Sequence, residues 1–181
     1  ILKFKKIYED CESPSSINKI CDPYDIITLV HTENHNHPVT AKSVEEDAEV
    51  IVDLVEFLIG KDVNPKSIGI IAPYRAQVAL IRRKIENFIS RTEVKFSSKE
   101  MVDTIDRFQG DERDIIIFSI SLSDSNTSDL LKDKRKINVA LSRAKKKLIV
   151  VGNWDLANGY KVFKLLFDYV KADKHSKFIR I

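Results

Sequence analysis

Apolar residues in this chain gather in four short unbroken runs, and between the runs they recur at every third or fourth position. The runs Ile26–Val30, Ile68–Ala72, Ile115–Ile120 and Leu148–Val151 are rich in β-branched side chains. Unbroken runs of this length suit strands covered on both faces, as in a parallel sheet. A first helical stripe is Val44, Ala48, Ile51, Val52, Val55 and Leu58. Ser43 and Glu46 have the spacing of a capping box at its start, and Gly60 is placed to end it. A second stripe is Val78, Ile81, Ile85, Phe88 and Ile89, with Arg75, Arg82, Arg83 and Lys84 outside it. A third is Ile137, Ala140, Leu141 and Ala144, and a fourth, after Gly159, is Val162, Leu166, Tyr169 and Val170. Strand and helix alternate, which predicts an α/β layered domain with right-handed crossovers.

Residues 1–25 break this pattern. They are polar, carry Pro14, Pro23 and several serines, and are expected to be irregular, so the ordered domain is expected over 26–181. Arg91–Glu100 and Ser121–Arg135 read as long polar loops, open to a functional role or to a plain surface insertion.

Composition narrows the classes. The chain has 181 residues, enough for one domain with a sizeable core. Apolar residues make up 43% and charged residues 31%, and no apolar run approaches the ~18 residues of a membrane span. A membrane partner is therefore not expected, and the chain reads as intracellular, either cytoplasmic or in a nucleoid or nucleus. It begins at Ile1 without a Met, so it reads as part of a longer protein. The net charge of +3 permits nucleic-acid binding without arguing for it. Cys11 and Cys21 are expected to be reduced thiols. His31, His35 and His37 lie close together, but no Cys or carboxylate sits at matching spacing, so a polar loop is expected there and no metal site. Trp154 is expected to pack in the core.

Three segments carry candidate chemistry. Asn138-Val139-Ala140-Leu141-Ser142-Arg143-Ala144-Lys145 places an arginine on the flank of the third helix, directly before a strand. A guanidinium held rigidly there could neutralise a transferring phosphoryl group; the alternative is a surface arginine in an ion pair. Asn138 and Ser142 share another face of that helix. The second segment, Thr104-Ile105-Asp106-Arg107-Phe108-Gln109-Gly110-Asp111-Glu112, precedes the Ile115 strand. Its threonine hydroxyl and glycine backbone can donate to phosphate oxygens, and Glu112 can accept from a sugar hydroxyl. The alternative is a polar loop with a turn glycine. The third, Pro73-Tyr74-Arg75-Ala76-Gln77, ends a strand and opens a helix, a place where parallel sheets hold phosphates or merely turn. The basic clusters Lys132–Lys136 and Lys145–Lys147 could face phosphates or solvent.

In this order, with these strands between them, the three segments resemble motifs IV, V and VI of the second, C-terminal RecA-like domain of superfamily 1 helicases. The similarity is to the branch containing the nonsense-mediated-decay RNA helicase and the DNA helicase–nucleases. Ile71-Ala72-Pro73-Tyr74-Arg75-Ala76-Gln77 resembles motif IV, Val102–Asp114 resembles motif V, and Asn138–Lys145 resembles motif VI, followed by the family's Val151-Gly152-Asn153. The resemblance covers residues 26–153. It departs from the common pattern at Lys145, often Arg, and at Lys136-Ile137, often Arg-Arg or Arg-Leu.

The resemblance implies a RecA-like α/β domain with a mainly parallel sheet and helices on both faces. It implies that Arg143 reaches the ATP γ-phosphate across a cleft between two domains. Gly110, Glu112 and Gln109 are implied to lie near the nucleotide, with Tyr74 and Gln77 as further cofactor contacts. Thr104, and with it Asn138 and Ser142, are implied to contact nucleic acid. No G-x-x-x-x-G-K-[ST] phosphate loop and no Asp-Glu pair after a buried strand is present, parts that the resemblance assigns to an upstream domain. ATP and Mg²⁺ are thus expected in the intact protein, and the chain alone is expected to bind neither and to hydrolyse no ATP. The expected partners are single-stranded DNA or RNA and the N-terminal RecA-like domain of the same protein. The rival expectation is a helicase-like platform that has lost hydrolysis; a dinucleotide enzyme is disfavoured because no G-x-G-x-x-G follows a strand.

Overall fold

The computed structural model describes residues 16–33, 42–108, 110–123 and 129–181. The four apolar runs become β1 (Ile27–His31), β2 (Ile68–Ala72), β4 (Arg113–Ser119) and β5 (Ala144–Gly152). Two strands that the apolar pattern does not announce, β3 (Val102–Thr104) and β6 (Ser176–Arg180), close the edges. All six are parallel, in the order β3-β2-β4-β5-β1-β6. This is the expected α/β arrangement, with helices on both faces.

Alternation within each strand builds two apolar layers. Ile115, Ile117, Ile149 and Val151 face α2 (Glu45–Gly60) and α3 (Arg75–Ile89), meeting Ile51, Val55, Val78 and Ile81. Ile116, Phe118, Leu148 and Val150 face the opposite layer, built from α6 (Lys134–Leu141) and α8 (Lys161–Ala172) through Ile137, Ala140, Val162 and Phe163. Trp154 opens the short α7 (Trp154–Ala157) and is wholly buried there, its Nε1 donating to the Val30 carbonyl at 3.1 Å.

Several local expectations need correction. Residues 16–20 are helical (α1, Ser16–Ile20), and Ile20 and Cys21 join the core, so the packed domain starts before residue 26; residues 1–15 lie outside the described residues. The spacing Ile17, Ile20, Cys21 is a short helical stripe. Ser43 does not cap α2. The helix starts at Glu45 behind Val44, whose N–H donates to Gln77 Oε1 at 2.7 Å. Gly60 lies inside α2, and the left-handed residue after it is Asp62 at φ 59. The two polar stretches each hold a short helix, α4 (Ser98–Met101) and α5 (Asp129–Lys132).

Candidate nucleotide and strand-binding edges

Parallel strands give the sheet two unlike edges, one at the strand starts and one at the strand ends. At the starting edge β4 and β5 lie side by side, with Arg113 opposite Ala144. Arg113 donates its N–H to the Arg143 carbonyl at 3.1 Å. Glu112 and Arg143, each one residue before its strand, are therefore neighbours. Arg143 is not on the flank of a helix: α6 ends at Leu141, and Ala144 already belongs to the strand. The arginine sits in the tight turn between them, its N–H donating to the Ala140 carbonyl at 3.3 Å. It is half-buried, and its Nε is buried without a hydrogen-bond partner. An unpaired buried guanidinium N–H is costly unless a ligand or partner supplies an acceptor.

The acidic residues of this edge are all paired. Glu112 lies 3.6 Å from Lys145, Asp114 2.8 Å from Lys146, and Asp111 3.3 Å from Arg113. Gly110 is exposed at φ +91, a conformation that suits glycine, so its backbone is open to solvent. Gln109 falls outside the described residues. Ser142 and, one turn earlier, Asn138 are exposed near this same edge, Ser142 donating its N–H to the Asn138 carbonyl at 3.0 Å. Neither is brought together with Thr104.

At the finishing edge, Thr104 ends β3 beside the first turn of α3. Arg75, Arg82, Arg107, Asp103 and Thr104 line a cleft of about 180 Å³. Arg82 is fixed in it, donating from Nε and Nη2 to the Val102 carbonyl at 3.0 and 2.6 Å. Arg75 and Arg107 are exposed and have no ion pair among the described residues. The three arginines were not legible as one group in the sequence. The available signal was that Arg75 and Arg82 are two helical turns apart on a single helix.

Tyr74 and Gln77 also lie here, and so are not brought together with Arg143 and Glu112. Both follow the end of β2, while Arg143 and Glu112 precede β5 and β4, so the two groups are separated by about 20 Å of strand rise. Tyr74 instead has the Lys42 ammonium 5.3 Å above its ring. Gln77 is wholly buried, its Nε2 donating to the Val44 carbonyl at 3.1 Å and to Ser119 Oγ at 3.2 Å. Both ends of its amide are used inside the fold.

One segment joins the edges. From Thr104 at the finishing edge, residues 105–108 cross the sheet face, and residues 110–112 lead into the start of β4. Ile105 and Phe108 are buried along the way. Phe108 lies over Gly69, where even a methyl group would come within 2.5 Å of its ring.

Comparison with known proteins decides the family. Residues 5–155 match the family described as AAA domain, AAA_12. The chain belongs to this family, the C-terminal RecA-like region of superfamily 1 helicases. The DNA replication ATP-dependent helicase/nuclease DNA2 of Mus musculus is 30% identical over 175 residues, 93% of this chain and 16% of its own length. The Arabidopsis thaliana protein JHS1, of the same description, is 34% identical over 163 residues, 86% of this chain and 12% of its own. Helicase sen1 of Schizosaccharomyces pombe is 40% identical over 143 residues, 77% of this chain and 8% of its own. The chain therefore spans less than a fifth of each of these relatives.

The helicase domain holds other polar groups that are structural. Asp47, wholly buried, accepts from Thr32 Oγ1 at 2.7 Å, from Ser119 Oγ at 3.2 Å and from the Ser121 N–H at 3.1 Å. Burial pushes its carboxyl up to about 7. This junction pins the strand ends of β1 and β4 to α2 and holds Ser121 at φ 55. His31 is buried with Nδ1 accepting the Trp154 N–H at 3.2 Å, and burial pushes its imidazole down; His35 and His37 fall outside the described residues. Lys147 faces neither phosphate nor solvent, the two expectations for its cluster. It is buried, donating to the carbonyls of Asp22 and Asp25 at 2.9 and 2.7 Å, and burial pushes it down to about 8. Beside it, burial pushes the Cys21 thiol up to about 12. Among the described residues no helix is long and apolar enough to cross a membrane.

Proposed function

We propose that this domain closes an ATP site shared with a preceding RecA-like domain and grips a nucleic-acid single strand on its other edge. Arg143 would direct its guanidinium at the γ-phosphate. Its turn is rigid, its Nε lacks an acceptor in the fold, and its planar fork suits phosphate oxygens. Lys145 adds charge beside it, and Glu112 would accept from a ribose hydroxyl while Gly110 offers its backbone. The carboxylates of this edge are each occupied by a cation, so the edge is not suited to ligating Mg²⁺, which other parts of the intact protein would hold.

On the finishing edge, Thr104 Oγ1 and the arginines Arg75, Arg82 and Arg107 would hold strand phosphates, contacts that orient a backbone without reading bases. Asn138 and Ser142 lie on the nucleotide side and are left out of this surface. The observation that carries the reading is the 105–112 segment, which begins at the strand cleft and ends beside Arg143. Closure on ATP and release after hydrolysis would then be felt at the strand, as translocation requires.

The test is ATP turnover by the full-length protein with and without a single strand. Turnover that rises on strand addition supports the motor. Strand binding without turnover would replace it with the hydrolysis-deficient platform.

A further inference from the structure

The segment between Thr104 and Glu112 is tied to the stretch carrying Arg143 at two points. Asp106 Oδ1 lies 2.7 Å from Lys136 Nζ in the first turn of α6. Glu112 Oε2 lies 3.6 Å from Lys145 Nζ at the start of β5. Lys136 and Lys145 bracket Arg143 in sequence, so the crossing segment holds both ends of the stretch that presents the arginine.

The Glu112 tie belongs to the nucleotide edge already described. The Asp106 tie does not. It sits two residues after Thr104, beside the strand cleft, and reaches across to the helix that ends at the Arg143 turn. Beneath it Ile105, Phe108, Ile137 and Ala140 pack in one cluster. The segment that starts at Thr104 therefore touches α6 through both packing and charge. Among the other charged residues of the segment, Arg107 has no ion pair among the described residues, and Asp111 pairs with the nearby Arg113.

Building on the two-edge reading above, we propose that Asp106 and Lys136 are positioning residues whose ion pair couples strand occupancy at Thr104 to the placement of Arg143. Neither touches ATP or the strand. Their side chains are 57% and 39% exposed, which limits the pair to the strength of a surface ion pair. That strength suits tuning: a coupling factor of about 5 corresponds to about 1 kcal/mol. The pair therefore adjusts how strongly a bound strand accelerates turnover and does not act as an on/off contact.

The experiment uses the full-length protein and measures ATP turnover with and without single strand, strand affinity, and melting temperature. D106K and K136D should each lower strand stimulation about 3- to 5-fold, with unstimulated turnover and strand affinity within about 2-fold of wild type. The charge-swapped double variant should recover most of the stimulation, which a residue acting alone could not explain. Joint loss of melting temperature, unstimulated turnover and stimulation would mark the pair as merely structural and overturn the proposal. So would full stimulation in the charge-neutral D106N and K136M, or a folded double variant that recovers nothing. If strand leaves wild-type turnover unchanged, the two-edge reading itself fails, and the coupling falls with it.

Discussion

Glu112 and Arg143 are held side by side by a main-chain bond between their strands: the Arg113 N–H donates to the Arg143 carbonyl at 3.1 Å. The arginine's position is thus set by backbone, while its side chain has no ion pair among the described residues. Its loss should separate function from folding.

Arg143→Ala in the full-length protein should lower ATP turnover by about 10³-fold or more, the scale on which an arginine supplied to a γ-phosphate acts. Melting temperature should change little. Arg143→Lys should fail nearly as badly, because a point ammonium does not reproduce two parallel N–H contacts. Near-full turnover in the lysine variant would make Arg143 an ordinary surface charge.

Thr104 and Glu112 should separate the two ligands, since they lie at opposite ends of the strands. Thr104→Val keeps side-chain volume and removes a hydroxyl, so strand affinity should fall by about 1 kcal/mol, one lost hydrogen bond, with strand stimulation reduced. Glu112→Gln should raise the apparent KM for ATP and leave strand affinity without nucleotide almost unchanged. Titrating both ligands on both variants decides the matter; parallel losses in both assays would reduce the segment to a shaping loop.

The 181-residue chain by itself should show no ATP turnover, with or without strand. It has no phosphate loop to cradle the β- and γ-phosphates and no Asp-Glu pair after a buried strand for the metal. Strand-stimulated hydrolysis by a contaminant-free sample of these residues would contradict the shared site.

The buried Asp47 should leave a signature in stability against pH. Its carboxyl is raised from 3.8 to about 7 by burial. Between about pH 4 and pH 7 the folded protein therefore holds a proton that the unfolded chain has released, and this contribution to stability falls as pH rises through that window, flattening above it. Asp47→Asn should flatten the melting profile over the same range. Asp47→Ala should cost about 2–4 kcal/mol, because Thr32, Ser119 and the Ser121 N–H lose their acceptor. Identical melting profiles for wild type and Asp47→Asn would show that Asp47 titrates normally.

The parts of this fold legible in the sequence are those whose signal is local. Four unbroken apolar runs give four strands because both faces of each are covered, and the α3 stripe matches its buried side because one face meets the sheet. What stayed hidden depends on contacts distant in sequence. β3 has only three residues, and β6 is a half-buried edge strand whose Ser176-Lys177-Phe178-Ile179-Arg180 pattern lacks an apolar run. Ser43 had the letters of a cap, but Gln77, 33 residues away, takes the Val44 N–H. The motif residues were legible as a set, whereas their division between two edges was not. Tyr74 belongs to motif IV of the family pattern and Arg143 to motif VI, and strand direction sends them to opposite ends of the strands.

The place of β1 in the sheet has a consequence for how the chain is made. Among the described strands β1 comes first in the chain, and its two neighbours, β5 and β6, come last. Trp154, which donates to the Val30 carbonyl, is 124 residues downstream of it. As the chain leaves the ribosome, β2, β3 and β4 can pair while Leu29 and Val30 still have no partner strand and the apolar edge of β4 stands open. The insertion of β5 between β4 and β1, and the pairing of β6 with β1, must then wait for the end of the domain to be made. Until that happens a nascent chain offers the unpaired edges of β1 and β4 to other chains, and its yield in the cell should depend on chaperones that cover them.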